Sequence, residues 1–271
     1  KAASKFFHSL APIISLTVAL VTLAVVPFGS RIFIFGKEID LMVAPGVNIG
    51  VLYILAMSSL GVYGITLSGW ASNNKYSLLG GLRSTAQMIS YEISMGLAII
   101  GVIMMTGSLQ LDEIVRMQEG WKWNFIFQPI GFITFVIAAF AETNRLPFDL
   151  PEAEAELVGG FHTEYSGLKF GMFFLAEYAN MITASALITT LYLGGYRLPF
   201  IEYFGFSQNT LAIVHVVTFF FKISLIMFFM IWVRWTLPRF RYDQLMNIGW
   251  KVMIPLGLLN IFITGIGLII F

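Results

Sequence analysis

Seven stretches of the chain carry almost unbroken apolar side chains, at roughly 9–28, 49–69, 84–106, 124–141, 168–193, 210–233 and 248–271. Each is close to the ~20 residues that a helix needs to cross the hydrocarbon core of a bilayer, where every backbone amide must bond within its own segment. Polar residues gather between these stretches in short, turn-forming connections: Pro27 to Ser30, Pro45 to Asn48, Asn73-Asn74, Gly194-Gly195 and Gly205 to Asn209. The pattern predicts an all-α, polytopic transmembrane helical bundle that forms a single membrane domain over residues 1–271. No internal repeat is visible, which counts against the inverted-repeat transporters.

Composition sharpens this. Hydrophobic residues make up 58% of the chain and charged residues 11%, against roughly 25% charged in soluble domains, so there is too little polar surface to cover a water-soluble globule. A formal net charge of +1 offers no basic field for nucleic acid. With no cysteine there can be no disulfide, no thiolate-held iron-sulfur cluster and no Cys-type zinc site. His8, His162 and His215 lack paired ligand spacing. If the protein serves a redox pathway, the redox centres lie in other chains.

Alternating the seven spans sorts the basic residues by side. Lys1, Lys5, Lys75, Arg83, Arg145, Lys169, Arg234, Arg239, Arg241 and Lys251 fall on one face, and Arg31, Lys37, Arg116, Lys122 and Arg197 on the other. Ten against five assigns the first face to the cytoplasm or its organellar equivalent. The chain starts at Lys1 without a Met, and the expectation is that it is the remainder of a longer protein with one earlier span, eight in all.

Ionisable residues within the spans are costly, about 2.5–3.5 kcal/mol each at a helix centre on insertion scales, so they should face the interior and find partners. Glu92 and Glu177 lie eight or nine residues into the third and fifth predicted spans, ~12–14 Å deep at ~1.5 Å per residue. Lys222 is near the centre of the sixth, with His215 two turns away. A structural ion pair of Lys222 with Glu92 or Glu177 is the plain reading of these residues. A proton relay is the functional one.

Between Glu142 and Glu164 a cytoplasmic-side loop holds six carboxylates, Glu142, Asp149, Glu152, Glu154, Glu156 and Glu164, against one Arg145. Asp149 with Pro151 and Glu152 looks like a helix start, closed by Gly159-Gly160, so the acidic loop at 142–167 should contain a short helix. Leu146, Phe148, Leu150, Leu157, Val158 and Phe161 interleave the acids, as in a folded pocket rather than a solvated run. Crowded carboxylates in such a pocket cannot all ionise. That suggests a path from the loop through Glu142 to Glu92 and Glu177, with Lys222 at the middle. The basic segment RWTLPRFRYDQ, from Arg234 to Gln244, lies on the same face as the acidic loop, so ion pairs between the two are expected.

Three segments, SNNKYSLLGGLRSTAQMISYEI (Ser72 to Ile93), AETNRLPFDLPEAEAELVGGFHTEYSGLKFGMFFLAEY (Ala141 to Tyr178) and RWTLPRFRYDQLMNIGWK (Arg234 to Lys251), closely resemble a membrane subunit of respiratory complex I, NADH:quinone oxidoreductase, the one known in bacteria as its H subunit. The resemblance covers essentially the whole chain. It implies a coupling subunit that joins the hydrophilic redox arm to the other membrane-arm subunits and forms part of the quinone chamber. Quinone would be the substrate. Flavin and iron-sulfur clusters would sit in partner subunits, and the bilayer would be a bacterial inner or mitochondrial inner membrane.

The resemblance places Glu92, Asp149, Glu152, Glu154, Glu156, Glu164 and Glu177 on an acidic coupling path. It puts Arg145, Phe148, Arg234 and Arg239, with Glu156 and Glu164, at the quinone chamber, and Ser72 to Arg83 against the hydrophilic arm. The family's first span and the loop after it have no counterpart here. A homologous subunit of a membrane-bound hydrogenase or of a ferredoxin- or deazaflavin-dependent oxidoreductase, a self-contained ion transporter, and a passive membrane anchor are the rival readings.

Overall fold

The computed structural model describes residues 4–34, 37–149, 159–199, 201 and 207–270. Among these, six helical segments are long and apolar enough to cross a membrane: Lys5–Val25, Gly50–Ala71, Lys75–Thr106, Leu168–Tyr192, Gln208–Thr236 and Tyr242–Ile270. The α-helices are numbered α1 (Lys5–Thr22), α2 (Gly50–Ala71), α3 (Lys75–Thr106), α4 (Leu111–Met117), α5 (Asn124–Phe127), α6 (Pro129–Glu142), α7 (Leu168–Tyr192), α8 (Gln208–Thr236), α9 (Tyr242–Ile248) and α10 (Ile254–Ile270). A π-helical turn, Gly249–Met253, joins α9 to α10.

The predicted fourth span, 124–141, is divided. Pro129 has no N–H to continue a helix from α5, Gln128 takes a non-helical conformation, and α6 is left with 14 residues. The predicted third span grows at its start. Asn74 caps it, its side chain accepting from the Tyr76 amide, and α3 runs for 32 residues, ~48 Å at 1.5 Å per residue. That exceeds the ~30 Å hydrocarbon core, so part of α3 stands in the interfacial layer.

One feature departs from the all-α expectation. Ile32–Ile34 and Lys37–Ile39 pair as an antiparallel two-stranded hairpin, with Ile32 opposite Ile39. It docks on α8 through Asn209, whose side chain accepts from the Phe33 amide and donates to the Phe33 carbonyl.

Helix α3 is the hub. Tyr91, Met95, Ala98, Ile99 and Val102 pack against Phe135, Ala138 and Ala139 of α6 and against Ile188, Leu191 and Tyr192 of α7. The buried phenols are anchored on backbone: Tyr91 Oη donates to the Leu245 carbonyl and Tyr192 Oη to that of Ala98. Small residues set the closest helix approach, the usual device where lipid removes the hydrophobic drive between helices. A Cβ on Gly69 of α2 would come 2.7 Å from the Ser77 carbonyl oxygen and 3.3 Å from the Gly81 Cα of α3. Apolar side chains on the outer faces of α8 and α10, such as Phe221, Phe228, Phe262 and Ile269, are exposed, as a lipid-facing surface requires.

Candidate functional site

The polar interior is built between α1, α2, α3, the end of α6 and α7. Glu92, on α3, accepts a short hydrogen bond from Ser59 of α2. Glu142, the last residue of α6, hydrogen-bonds the neighbouring Ser58 and lies within electrostatic reach of Glu92. Glu177 on α7 pairs with Arg145 at 3.2 Å. Glu142 and Glu177, with Ser58, Thr143, Asn144 and Asn180, line one internal cavity of about 60 Å³, room for a few waters and no more. Two of the three carboxylates expected from sequence to lie along one path, Glu142 and Glu177, therefore line one cavity, and Glu92 stands outside its lining, bonded to Ser59.

Arg145 is 7% exposed. Its guanidinium lies over the Tyr178 ring at 4.8 Å and the Phe174 ring at 5.8 Å, so its charge is met by a carboxylate and two aromatic faces. The turn that carries it is tied to α3 by Gln87, which donates to the carbonyls of Ala141 and Phe148 at 2.7 and 2.8 Å. Phe148 is buried, stacked on Phe240 and tilted against Tyr91. Arg239 bonds the Asp149 backbone carbonyl and lies 3.8 Å from its carboxylate, so the expected pairing of acidic loop and basic segment is formed at this point. Glu164 is exposed and accepts from Asn74 at 2.9 Å, at the cap of α3 and apart from the cavity. Glu152, Glu154 and Glu156, and the expected loop helix around them, lie outside the described residues.

Lys222 is placed differently from the sequence reading. Its ammonium donates to the carbonyls of Leu193, Gly195 and Arg197 at 2.6, 2.9 and 2.7 Å and lies 4.7 Å over the Trp123 ring. Leu193 is 16 residues beyond Glu177 on α7, ~24 Å along the helix. The ion pair expected with Glu92 or Glu177 is thus not made, and Lys222 caps the opposite end of α7. A cation at a helix C-terminus meets both the unpaired carbonyls and the negative end of the dipole. Gln118 and Asn124 complete the cap through the Thr190 and Leu191 carbonyls.

His215, two turns away, faces Ser30 with Nδ1 at 2.9 Å. Tyr165, in the connection before α7, is buried and stacked on His8, and burial pushes its phenol up to about 12.

The residues that sequence reasoning missed are the small polar ones, Ser58, Ser59, Gln87 and Asn180. A Ser-Ser pair and an amide inside apolar spans are the signal that could have found them, because each needs a hydrogen-bond partner there.

The model of the NADH dehydrogenase family matches residues 1–265. The chain is 54% identical over 269 residues to the NADH-quinone oxidoreductase H subunit, copy 1, of Cytophaga hutchinsonii, covering 99% of this chain and 78% of that protein. The chain belongs to the NADH dehydrogenase family, as an H subunit of NADH-quinone oxidoreductase. Similarity of the same order extends to NADH-quinone oxidoreductase subunit 8 of Rhodothermus marinus, 50% over 279 residues with 99% and 79% of the two chains covered. It extends also to the H subunit, copy 2, of Geobacter sulfurreducens, 52% over 264 residues with 97% and 76% covered. An H subunit with six long apolar helices is a membrane protein, and this one is part of an enzyme complex whose chemistry requires other chains.

Proposed function

We propose that this H subunit couples quinone reduction to proton translocation through the carboxylates gathered at its internal cavity. The observation that carries the reading is the convergence of Glu142 and Glu177 on one small polar cavity, with Glu92 held beside it through the Ser58-Ser59 pair. Carboxylates grouped about one polar cavity large enough for water can pass a proton from one to the next. A change of charge nearby then shifts protons among them. Arg145 stands at the hinge of that response, because its ion pair with Glu177 ties the loop that begins at Thr143 to α7.

In this reading the quinone is bound between this chain and its partners in the hydrophilic arm, and flavin and iron-sulfur centres in those partners supply the electrons. The Arg145, Phe148, Arg234 and Arg239 region, with Glu156 and Glu164, forms this chain's share of the chamber wall. Reduction of the quinone takes up protons and alters charge at that wall. Asp149 and the loop acids Glu152, Glu154 and Glu156 transmit the change, and the cavity carboxylates answer by exchanging protons. Lys222 takes no step in this sequence. Leu78, Leu79 and Leu82 at the interfacial end of α3 are exposed, and that apolar patch supports the docking of a partner on the segment from Ser72 to Arg83.

The test is a complex assembled with Glu142→Gln and Glu177→Gln in this chain, assayed for quinone reduction and proton translocation together. The proposal expects electron transfer to continue with fewer protons moved per electron. An unchanged ratio would overturn it.

A further inference from the structure

A second cavity opens on the opposite, noncytoplasmic face. It has a volume of about 360 Å³ and lies between the turn after α1, the hairpin, α4 and the first turns of α8. Three arginines, Arg31, Arg116 and Arg197, line it together with three carboxylates, Glu38, Asp40 and Asp112. Arg31 pairs with Asp40 at 2.8 Å and Arg116 with Asp112 at 2.6 Å. The charges of the lining cancel, so this vestibule calls for a neutral hydrogen-bonding occupant rather than an ion.

His215 lies at its deep end. It is 2% exposed and stands seven residues, ~10 Å, in from the start of α8 at Gln208. Its Nδ1 faces Ser30 at 2.9 Å, while Nε2 is buried without a hydrogen-bond partner. Beside it, the Tyr196 hydroxyl donates to Asp112 at 3.0 Å. A buried ring nitrogen left open in a polar cavity of this size is a place for water.

The carboxylate cavity approaches from the other face. Its lining on α7 runs from Phe173 to Leu187, 14 residues or ~21 Å, and on α1 it ends at Thr22, the last residue of that helix. Ser15 Oγ lines it without a partner, which marks a place for water there too. The two depths account for most of the ~30 Å hydrocarbon core. What separates the cavities is apolar. Val25 and Val26, 2% and 1% exposed, follow Thr22 of one cavity and precede Pro27 of the other, and they share a buried cluster with Ile54 and Leu187 of the carboxylate cavity wall.

We propose that this chain contains a proton route of its own, with the carboxylate cavity as its inner half, the vestibule as its exit to the noncytoplasmic side, and Val25-Val26 as the seal between them. A constriction of apolar side chains stops protons by excluding water, and the seal is shut in this structure. His215 is a positioning residue that holds the innermost water of the vestibule on Nε2. Arg197 and Lys222 stand within electrostatic reach of its ring, so a proton leaves on that water rather than on the imidazole. The exit rests on the coupling reading, and its test is separable from it because a breached seal conducts protons without any electron transfer.

The experiment uses the intact complex carrying this chain, reconstituted in sealed vesicles. With the complex idle, Val26→Ser should wet the seal and raise the passive proton leak at least tenfold, and Val26→Leu should leave it at the wild-type level. His215→Phe should cut that leak at least threefold, and His215→Gln should restore it. The chain has no cysteine, so Leu211→Cys gives it a single thiol in the vestibule wall. A membrane-impermeant cationic thiol reagent applied from the noncytoplasmic side should label that thiol and abolish the Val26→Ser leak. In a complex changed only at Leu211, the label should remove one proton per quinone reduced and leave quinone reduction intact, with wild type treated in the same way as the control.

An assembled Val26→Ser complex that does not leak would overturn the proposal, as would labelling from the cytoplasmic side alone. So would an unchanged proton count after full labelling, and where Val26→Ser fails to assemble, that count decides by itself. An unchanged count in the labelled complex beside a lowered one in Glu142→Gln with Glu177→Gln would discard the exit and keep the coupling.

Discussion

Replacing Lys222 by Met tests whether this residue holds the fold or carries protons. Met keeps the length of the side chain and removes the charge and all three N–H donors. In the structure those donors serve the carbonyls of Leu193, Gly195 and Arg197, which have left the helical ladder at the end of α7. A hydrogen bond from a charged group is worth about 1.5–3 kcal/mol in soluble proteins, but side-chain bonds between membrane helices average nearer 0.6 and reach about 1.7. Three of them therefore contribute roughly 2–5 kcal/mol. The contact with Trp123 adds about 0.5–2 kcal/mol.

A loss of that size is a large share of the stability of a single domain. It should show as a lower yield of assembled complex and a thermal transition several degrees below wild type, read by fluorescence of the purified complex in detergent. In the fraction that does assemble, protons moved per electron should equal the wild-type value. A Lys222→Met complex with unchanged thermal stability and diminished proton translocation would refute the reasoning and return Lys222 to the relay.

Four further expectations follow from other contacts. Glu177→Gln should cost about 3–5 kcal/mol by leaving the buried Arg145 charge unanswered, whereas Arg145→Met combined with Glu177→Gln should cost much less; equal costs in a denaturation series would dismiss the pair as a structural unit. Gly69→Ala should destabilise the α2 and α3 contact by about 1–3 kcal/mol, because its Cβ would fall 2.7 Å from a backbone oxygen, and an unshifted thermal transition would show that the helices separate freely. Ser59→Ala should alter the infrared carbonyl band assigned to Glu92, which loses its short hydrogen bond, while an unaltered band would place Glu92 elsewhere. The Tyr165 phenol, pushed up to about 12 by burial, contributes stability that is complete below the ordinary tyrosine value of about 10 and is lost as pH rises toward 12. Wild type and Tyr165→Phe should accordingly diverge in stability only across that alkaline range, and divergence at neutral pH would point to a different role.

Hydropathy made the spans legible because a helix in lipid must be apolar over its whole length, and that demand is local. The break at Gln128-Pro129 was written in the proline but hidden by apolar residues on both sides. The hairpin over 32–39 was too short to show a period, and what fixes it is Asn209, 176 residues away. At the site, the helices that carry the acids were readable and their adjacency was not. Glu92 lies 17 residues after the start of α3 at Lys75 rather than eight into its span, and only packing shows that Ser59 bonds Glu92 and that Arg145 answers Glu177. Lys222 defeated counting for the same reason: a long flexible side chain reached carbonyls on a neighbouring helix end that no pattern in its own helix announces. Glu164 accepts from Asn74 at the surface, a partner 90 residues away that the acidic run itself does not announce.

The central claim is that the carboxylates at one internal cavity of this chain link quinone chemistry to proton movement. The most direct test is the number of protons translocated per electron by an assembled complex, reconstituted in vesicles, in which Glu92, Glu142 and Glu177 of this chain are all replaced by Gln. The account predicts a ratio well below wild type with quinone reduction still measurable. A wild-type ratio in that complex would contradict it.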